Sequence, residues 1–158
     1  MRARCVAVVA CVLVSASCSA GPSLGDAVAE LRKDTRTLET DDVFKNPLKK
    51  LTILERPDKD VPCGEGRFKR VMRATADYER AAGQTTDAYL NLAQSLMEDT
   101  LALPRFGYTV TSDPGQRDKP AARVIRGVKD EAGVTMTVDV RPDPPTWSIR
   151  AETGCFAS

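Results

Sequence analysis

The chain contains no histidine, and that absence excludes more chemistry than any single residue it carries implies. Ser-His-Asp and Cys-His nucleophilic arrangements need an imidazole base, so neither can be built. Without histidine or a CxxC spacing, the usual zinc patterns are missing as well. Net charge is nearly absent, at +1, so no global field draws in nucleic acid, and no basic stripe stands out. Aromatic residues make up only 5% of the chain, which suits a modest core. No apolar run reaches the roughly twenty residues a membrane-spanning helix needs. The longest is Cys5–Val14.

That short run is the most informative feature present. Arg2 and Arg4 precede it, Ser15-Ala16-Ser17 follow, and Cys18 comes next. A charged start, a short apolar stretch and small residues form the architecture of an export signal. The segment resembles the lipobox of bacterial lipoprotein precursors, with Ala16, Ser17 and the acceptor Cys18 matching and Ser15 standing at the usual aliphatic position. The resemblance implies lipidation of Cys18 and anchoring on the extracytoplasmic face. Val14-Ser15-Ala16 also reads as a site for the general signal peptidase, which would secrete the protein instead. The chain divides into residues 1–17 as signal peptide, 18–23 as tether and 24–158 as one domain of ordinary size.

Once Cys5 and Cys11 leave with the signal and Cys18 takes lipid, only Cys63 and Cys155 remain. An even pair in an oxidising compartment reads as a disulfide. A closed loop of about ninety residues contributes roughly 4 kcal/mol by the chain-entropy model.

Leu24, Val28, Leu31, Thr35 and Leu38 recur at helical spacing, with Arg32, Lys33, Asp34 and Arg36 on the other side. A short strand is read at Lys50–Glu55, a loop at Arg56–Pro62 and a turn at Cys63–Gly66. A long strand is read from Arg67 to Tyr78, with Phe68, Met72, Ala74, Ala76 and Tyr78 on one face. Thr85 or Thr86 caps a helix that Pro104 stops, with Tyr89, Leu92, Ala93, Leu96, Thr100 and Leu103 as its stripe. Strands follow at Tyr108–Ser112, Ala122–Lys129, Val134–Arg141 and from Trp147 to about Thr153. The expected fold is α+β, a two-layer sandwich: an antiparallel sheet of about five strands covered by one long helix, plus an N-terminal helix. If the Arg67 strand pairs antiparallel with the last strand, Cys63 and Cys155 meet.

Candidate chemistry is sparse. Cys63-Gly64-Glu65-Gly66 lacks the third glycine, the Lys-Ser/Thr and the following helix of a phosphate loop, and reads as a turn. Asp34, Glu39, Asp41 and Asp42 show no calcium-ligand spacing and read as a solvated helix end. Trp147 reads as core. Strand alternation sends Arg67, Lys69 and Arg73 to one face, as a candidate contact for anionic headgroups or a polymer phosphate; a solvated face that resists aggregation explains them equally well. The mature part also resembles small lipoproteins of high-GC Gram-positive envelopes, through Pro62-Cys63-Gly64, Phe106-Gly107-Tyr108 and Thr153-Gly154-Cys155-Phe156; that resemblance carries no activity. The sequence therefore points to a non-enzymatic binding domain without metal or cofactor. Its partners are the membrane, through the lipid anchor, and an envelope protein or polymer, with nucleic acid excluded. The alternatives are a membrane-held inhibitor or immunity-type protein and a carboxylate-dependent hydrolase.

Overall fold

The computed structural model describes residues 21–45, 50–112, 116 and 122–157. The signal segment and Cys18 lie outside the described residues, so their expected roles are not addressed by the fold. Helix α1 runs Leu24–Thr40, α2 Asp42–Lys45 and α3 Thr86–Ala102. Ser23 opens α1 with a capping box closed by Asp26, which offsets the weak first turn that Gly25 implies. Thr85 caps α3.

Nine strands form two sheets among the described residues. The large sheet takes β1 (Thr52–Glu55), β4 (Val71–Ala76), β5 (Thr109–Ser112), β6 (Arg123–Lys129), β7 (Val134–Val140) and β8 (Trp147–Thr153), in the order β1-β4-β8-β7-β6-β5. The small sheet joins β2 (Val61–Gly64), β3 (Arg67–Lys69) and β9 (Phe156–Ala157). The fold is α+β, with every neighbouring pair antiparallel. β4 pairs with β8 from Val71↔Glu152 to Ala76↔Trp147, so the second half of the run read as one long strand from Arg67 pairs with the Trp147 strand, as the cysteine placement suggested. The disulfide Cys63–Cys155 is formed, with Cα atoms 5.9 Å apart. It ties β2 to the residue before β9.

Two expectations need correction. The run Arg67–Tyr78 is two strands because Arg70 interrupts it. Its N–H donates to Thr153 Oγ1 at 3.0 Å and its guanidinium to Asp60 at 2.7 Å, so the halves hydrogen-bond into different sheets. The stretch read as loop and turn contributes β2, whose Pro62 is tolerated because β2 lies at a sheet edge. The large sheet consequently has six strands and a three-stranded companion, where about five strands were expected.

The cover also differs from one long helix. Both α1 and α3 lie on the same face of the large sheet. Ala27, Leu31 and Leu38 of α1, and Leu90, Ala93, Met97 and Leu101 of α3, are buried with Met72, Met136, Val138 and Ile149. The stripe of α3 is rotated from the expected one, and Leu92 and Leu103 face solvent. The helix carries two overlapping apolar stripes, and only docking against the sheet chooses between them. Trp147 is fully buried, its Nε1–H donating to the Ala93 carbonyl at 3.2 Å. Gly127 is required where β6 passes Tyr108, since a Cβ there would lie 3.0 Å from the ring.

Candidate functional site

Because both helices sit on one side, the alternate residues of every strand in the large sheet face outward. None of Arg73, Thr75, Thr135, Thr137, Arg126 and Arg150 is buried, although they stand on the same strands as the core. The register makes a row of them. Arg73 lies opposite Arg150, Arg150 opposite Thr137, Thr137 opposite Arg126, and Arg126 opposite Thr111. Three guanidiniums and two hydroxyls thus follow one another across five strands.

The partners on this face are few. Arg150 donates to Glu152 at 2.8 Å, and Lys69 donates to the same carboxylate at 3.0 Å. Partial desolvation alone would raise Glu152, yet these two cations hold its carboxyl below the ordinary glutamate value. Among the described residues neither Arg73 nor Arg126 enters an ion pair. Glu55 closes the row at β1, in register with Arg73. Asp139 stands one row away, between Ser148 and Val124. Where the small sheet meets the large one, a cleft of about 330 Å³ is lined by Lys69, Thr135, Glu152 and the disulfide.

The structure does not bring Arg67, Lys69 and Arg73 together. Arg67 lies in the small sheet and donates to the Cys155 carbonyl at 2.5 Å. Lys69 is committed to Glu152, and only Arg73 joins the row. Sequence reasoning missed Arg150 and Arg126. Alternation in β6 and β8 marks both as outward, but strand order alone makes them neighbours of Arg73.

Compared with protein-family models, with curated proteins and with solved structures, the chain has no match. The candidate site therefore stands on this chain's own geometry.

The face under the helices holds a second charged group. Lys129 donates to both carboxylate oxygens of Asp34, at 2.7 and 2.9 Å, and to Glu30 at 2.8 Å. Tyr108 donates to Asp34 at 2.6 Å, and the Lys129 ammonium lies 4.5 Å from the centre of its ring. Burial pushes the Asp34 carboxyl up against the pull of Lys129 and Tyr108. Burial and the facing Asp34 push the Tyr108 hydroxyl up as well. Glu30 is held below its ordinary value by Lys129 and Lys33, although partial burial works against them. Asp41 is likewise buried, and Arg105 donates to it at 2.5 Å. Asp34 and Asp41 thus leave the solvated helix end that the sequence suggested. Asp34 sits on the sheet side of α1 because a cation from β6 meets it there. Among the described residues no group of three or more Cys, Asp or Glu is placed to hold a metal ion. No described helix is long and apolar enough to cross a membrane.

Sequence reasoning expects no GxSxG after the signal segment, and that is wrong: Gly21-Pro22-Ser23-Leu24-Gly25 has the spacing of a nucleophile elbow. Ser23 is a helix cap, donating to the Asp26 carboxylate at 2.6 Å and accepting from its N–H at 3.2 Å. With no histidine in the chain, the general base of that motif is missing.

Proposed function

We propose that the chain is an exported envelope lipoprotein, anchored through Cys18 on the extracytoplasmic face. Its α+β domain binds an envelope component without turning it over, and its contact surface is the open face of the large sheet. The observation that carries this reading is a six-stranded sheet with both long helices on one side and an arginine row on the other. Such a face sets the spacing of its donors on a rigid backbone scaffold, although the exposed Arg73 and Arg126 side chains are themselves ordered only on binding. A binding role without chemistry is supported by the buried ionic groups, which are occupied with one another.

In-cell photo-crosslinking tests the surface. A photoreactive residue at Thr137, on the open face, should give a discrete adduct in the envelope. The same probe at Ser95, exposed on α3, should not. Equal labelling from both positions, or none from Thr137, overturns the reading. For the anchor, Cys18→Ala should move the protein from the membrane to the soluble or secreted fraction, and a fatty-acid probe should label only the wild type. A substrate turned over by the purified protein, with activity lost on changing one carboxylate, would replace binding with catalysis.

A further inference from the structure

The occupant of the open face can be named by its chemistry, on the reading that this face is the contact surface. We infer that it is a linear polyanion, an envelope polymer of phosphodiester-linked repeats. It lies across the strands along Arg73, Arg150, Thr137, Arg126 and Thr111.

The row itself is the first argument. Arg73 and Arg150 are directly opposed, and like charges in that position destabilise a strand pair. Glu152 relieves Arg150, and Glu55 stands in register on the other side of Arg73 without pairing with it, so Arg73 and Arg126 have no ion pair among the described residues. Where a fold keeps such a conflict, a bound counter-charge is the natural compensation. At a strand spacing of about 4.8 Å, Arg73 and Arg126 are roughly 14 Å apart, the reach of a few repeats of a phosphodiester chain. Each guanidinium can fork onto two phosphate oxygens, and the Thr137 hydroxyl between them can donate to a further oxygen, while the Thr111 hydroxyl at the end of the row already donates to the Arg126 carbonyl at 3.3 Å.

The surroundings argue against other occupants. Stable protein interfaces centre on buried aromatic or aliphatic anchors. The outward positions of β4, β6, β7 and β8 carry no aromatic residue, and the one large exposed apolar side chain among them is Val124. A lipid surface would meet more than the row, because Glu152 and Asp139 stand in the rows on either side. A narrow cationic stripe between carboxylates suits a thin chain. The anchor limits how far the row can lie from the membrane. Pro22 packs against Gly133, where an added Cβ would come within 3.4 Å of its Cγ. Cys18 is four residues before Pro22, at most about 14 Å of extended chain. A lipid on Cys18 would keep the Val134 end of β7 on a short tether to the bilayer, and Thr137 lies about 10 Å further along that strand.

The test uses the full chain in non-ionic detergent, titrated calorimetrically with synthetic poly(glycerol phosphate) of about ten repeats. Glycerol 3-phosphate serves as the monomer control, and vesicles of phosphatidylglycerol and phosphatidylcholine as the lipid control. The polymer should bind, and the monomer at equal phosphate concentration should not. R73Q/R126Q should weaken polymer binding about tenfold or more and flatten its salt dependence. The charge-matched control R36Q/K59Q, exposed on α1 and beside Asp58, which pairs with Arg32 of α1, should change it less than about twofold. Unchanged melting in both variants keeps folding out of the comparison. Equal loss in both variants, monomer binding as tight as polymer binding, or vesicle binding through Arg73 and Arg126 without polymer binding would each overturn the proposal. If the polymer fails to bind while the Thr137 adduct persists in cells, the polymer class falls and the contact surface stands. Loss of both removes the contact surface too.

Discussion

The two faces of the large sheet treat charge in opposite ways, although the same strands build both. Under the helices, Lys129 is nearly buried and meets Asp34 and Glu30. Arg123, fully buried, pairs with Asp87 at 2.6 Å. On the open face, Arg73 and Arg126 stand exposed on β4 and β6, and β6 is the strand that also supplies Arg123 and Lys129. The difference follows from solvation. A cation removed from water needs a partner, because leaving it alone costs several kcal/mol. A cation on an open face is hydrated and needs none, so its position is free to serve a partner from outside. The covered face reports what holds the fold, and the open face reports what the fold is free to present.

The largest effect that could break this contrast lies at Lys129. Lys129→Met leaves Asp34 buried without its cation and should cost about 3–5 kcal/mol in urea unfolding. Adding Asp34→Leu and Tyr108→Phe to Lys129→Met should recover most of that loss, since the triple change leaves neither a buried carboxylate nor a buried hydroxyl without its partner. A loss below about 1 kcal/mol in the single variant would mean that the two faces are equally solvated.

The disulfide comes next. Replacing Cys63 and Cys155 by Ser should cost roughly 2–5 kcal/mol and lower the melting midpoint by many degrees. Non-reducing peptide mapping should find the two cysteines in one linked peptide. In hydrogen exchange, the small sheet should lose protection before the helix-covered core does.

Acid gives a smaller effect with a defined sign. In the fold Glu30 and Glu152 sit below 4.5, the ordinary value of a glutamate carboxyl. Their stabilisation is present above that value and is lost as pH falls through the lowered folded values. Asp34, whose value is raised, acts in reverse: the fold gains relative to the unfolded chain as pH drops through its folded value. Stability should therefore fall on acidification below about pH 4.5, and E30Q/E152Q should show a shallower fall over the same range. An unchanged slope would mean that neither carboxylate is held by its cations.

The smallest effect is the one that sharpens the comparison. R73Q/R126Q should change unfolding free energy by less than about 0.5 kcal/mol, or stabilise slightly by removing an opposed pair of like charges. A cost above about 1 kcal/mol would show that these arginines serve the fold.

Local signals determined a good deal of this protein. The alternation of Val134–Val140, the cap at Thr85, the turn at Asp130–Gly133 and the break at Pro142–Pro145 were legible because each is set within a few residues by dihedral preference and burial period. The cysteine pair was legible by elimination, on the expectation that the chain is exported, and was enough to pair the first long strand with the last. What lay beyond the sequence depends on contacts between distant residues. Asp34 carries a charge and reads as solvent-facing until Lys129, on another element, neutralises it. Leu90 and Leu92 are equally apolar, and only the docked sheet decides which of them is buried. Arg70 divides a continuous alternating run because Thr153 and Asp60 take its hydrogen-bonding groups. Arg73, Arg150 and Arg126 lie far apart along the chain and become one row only when strand order sets them side by side. Period and propensity are properties of a segment, whereas neutralisation, docking and register belong to pairs of segments that only the folded chain brings together.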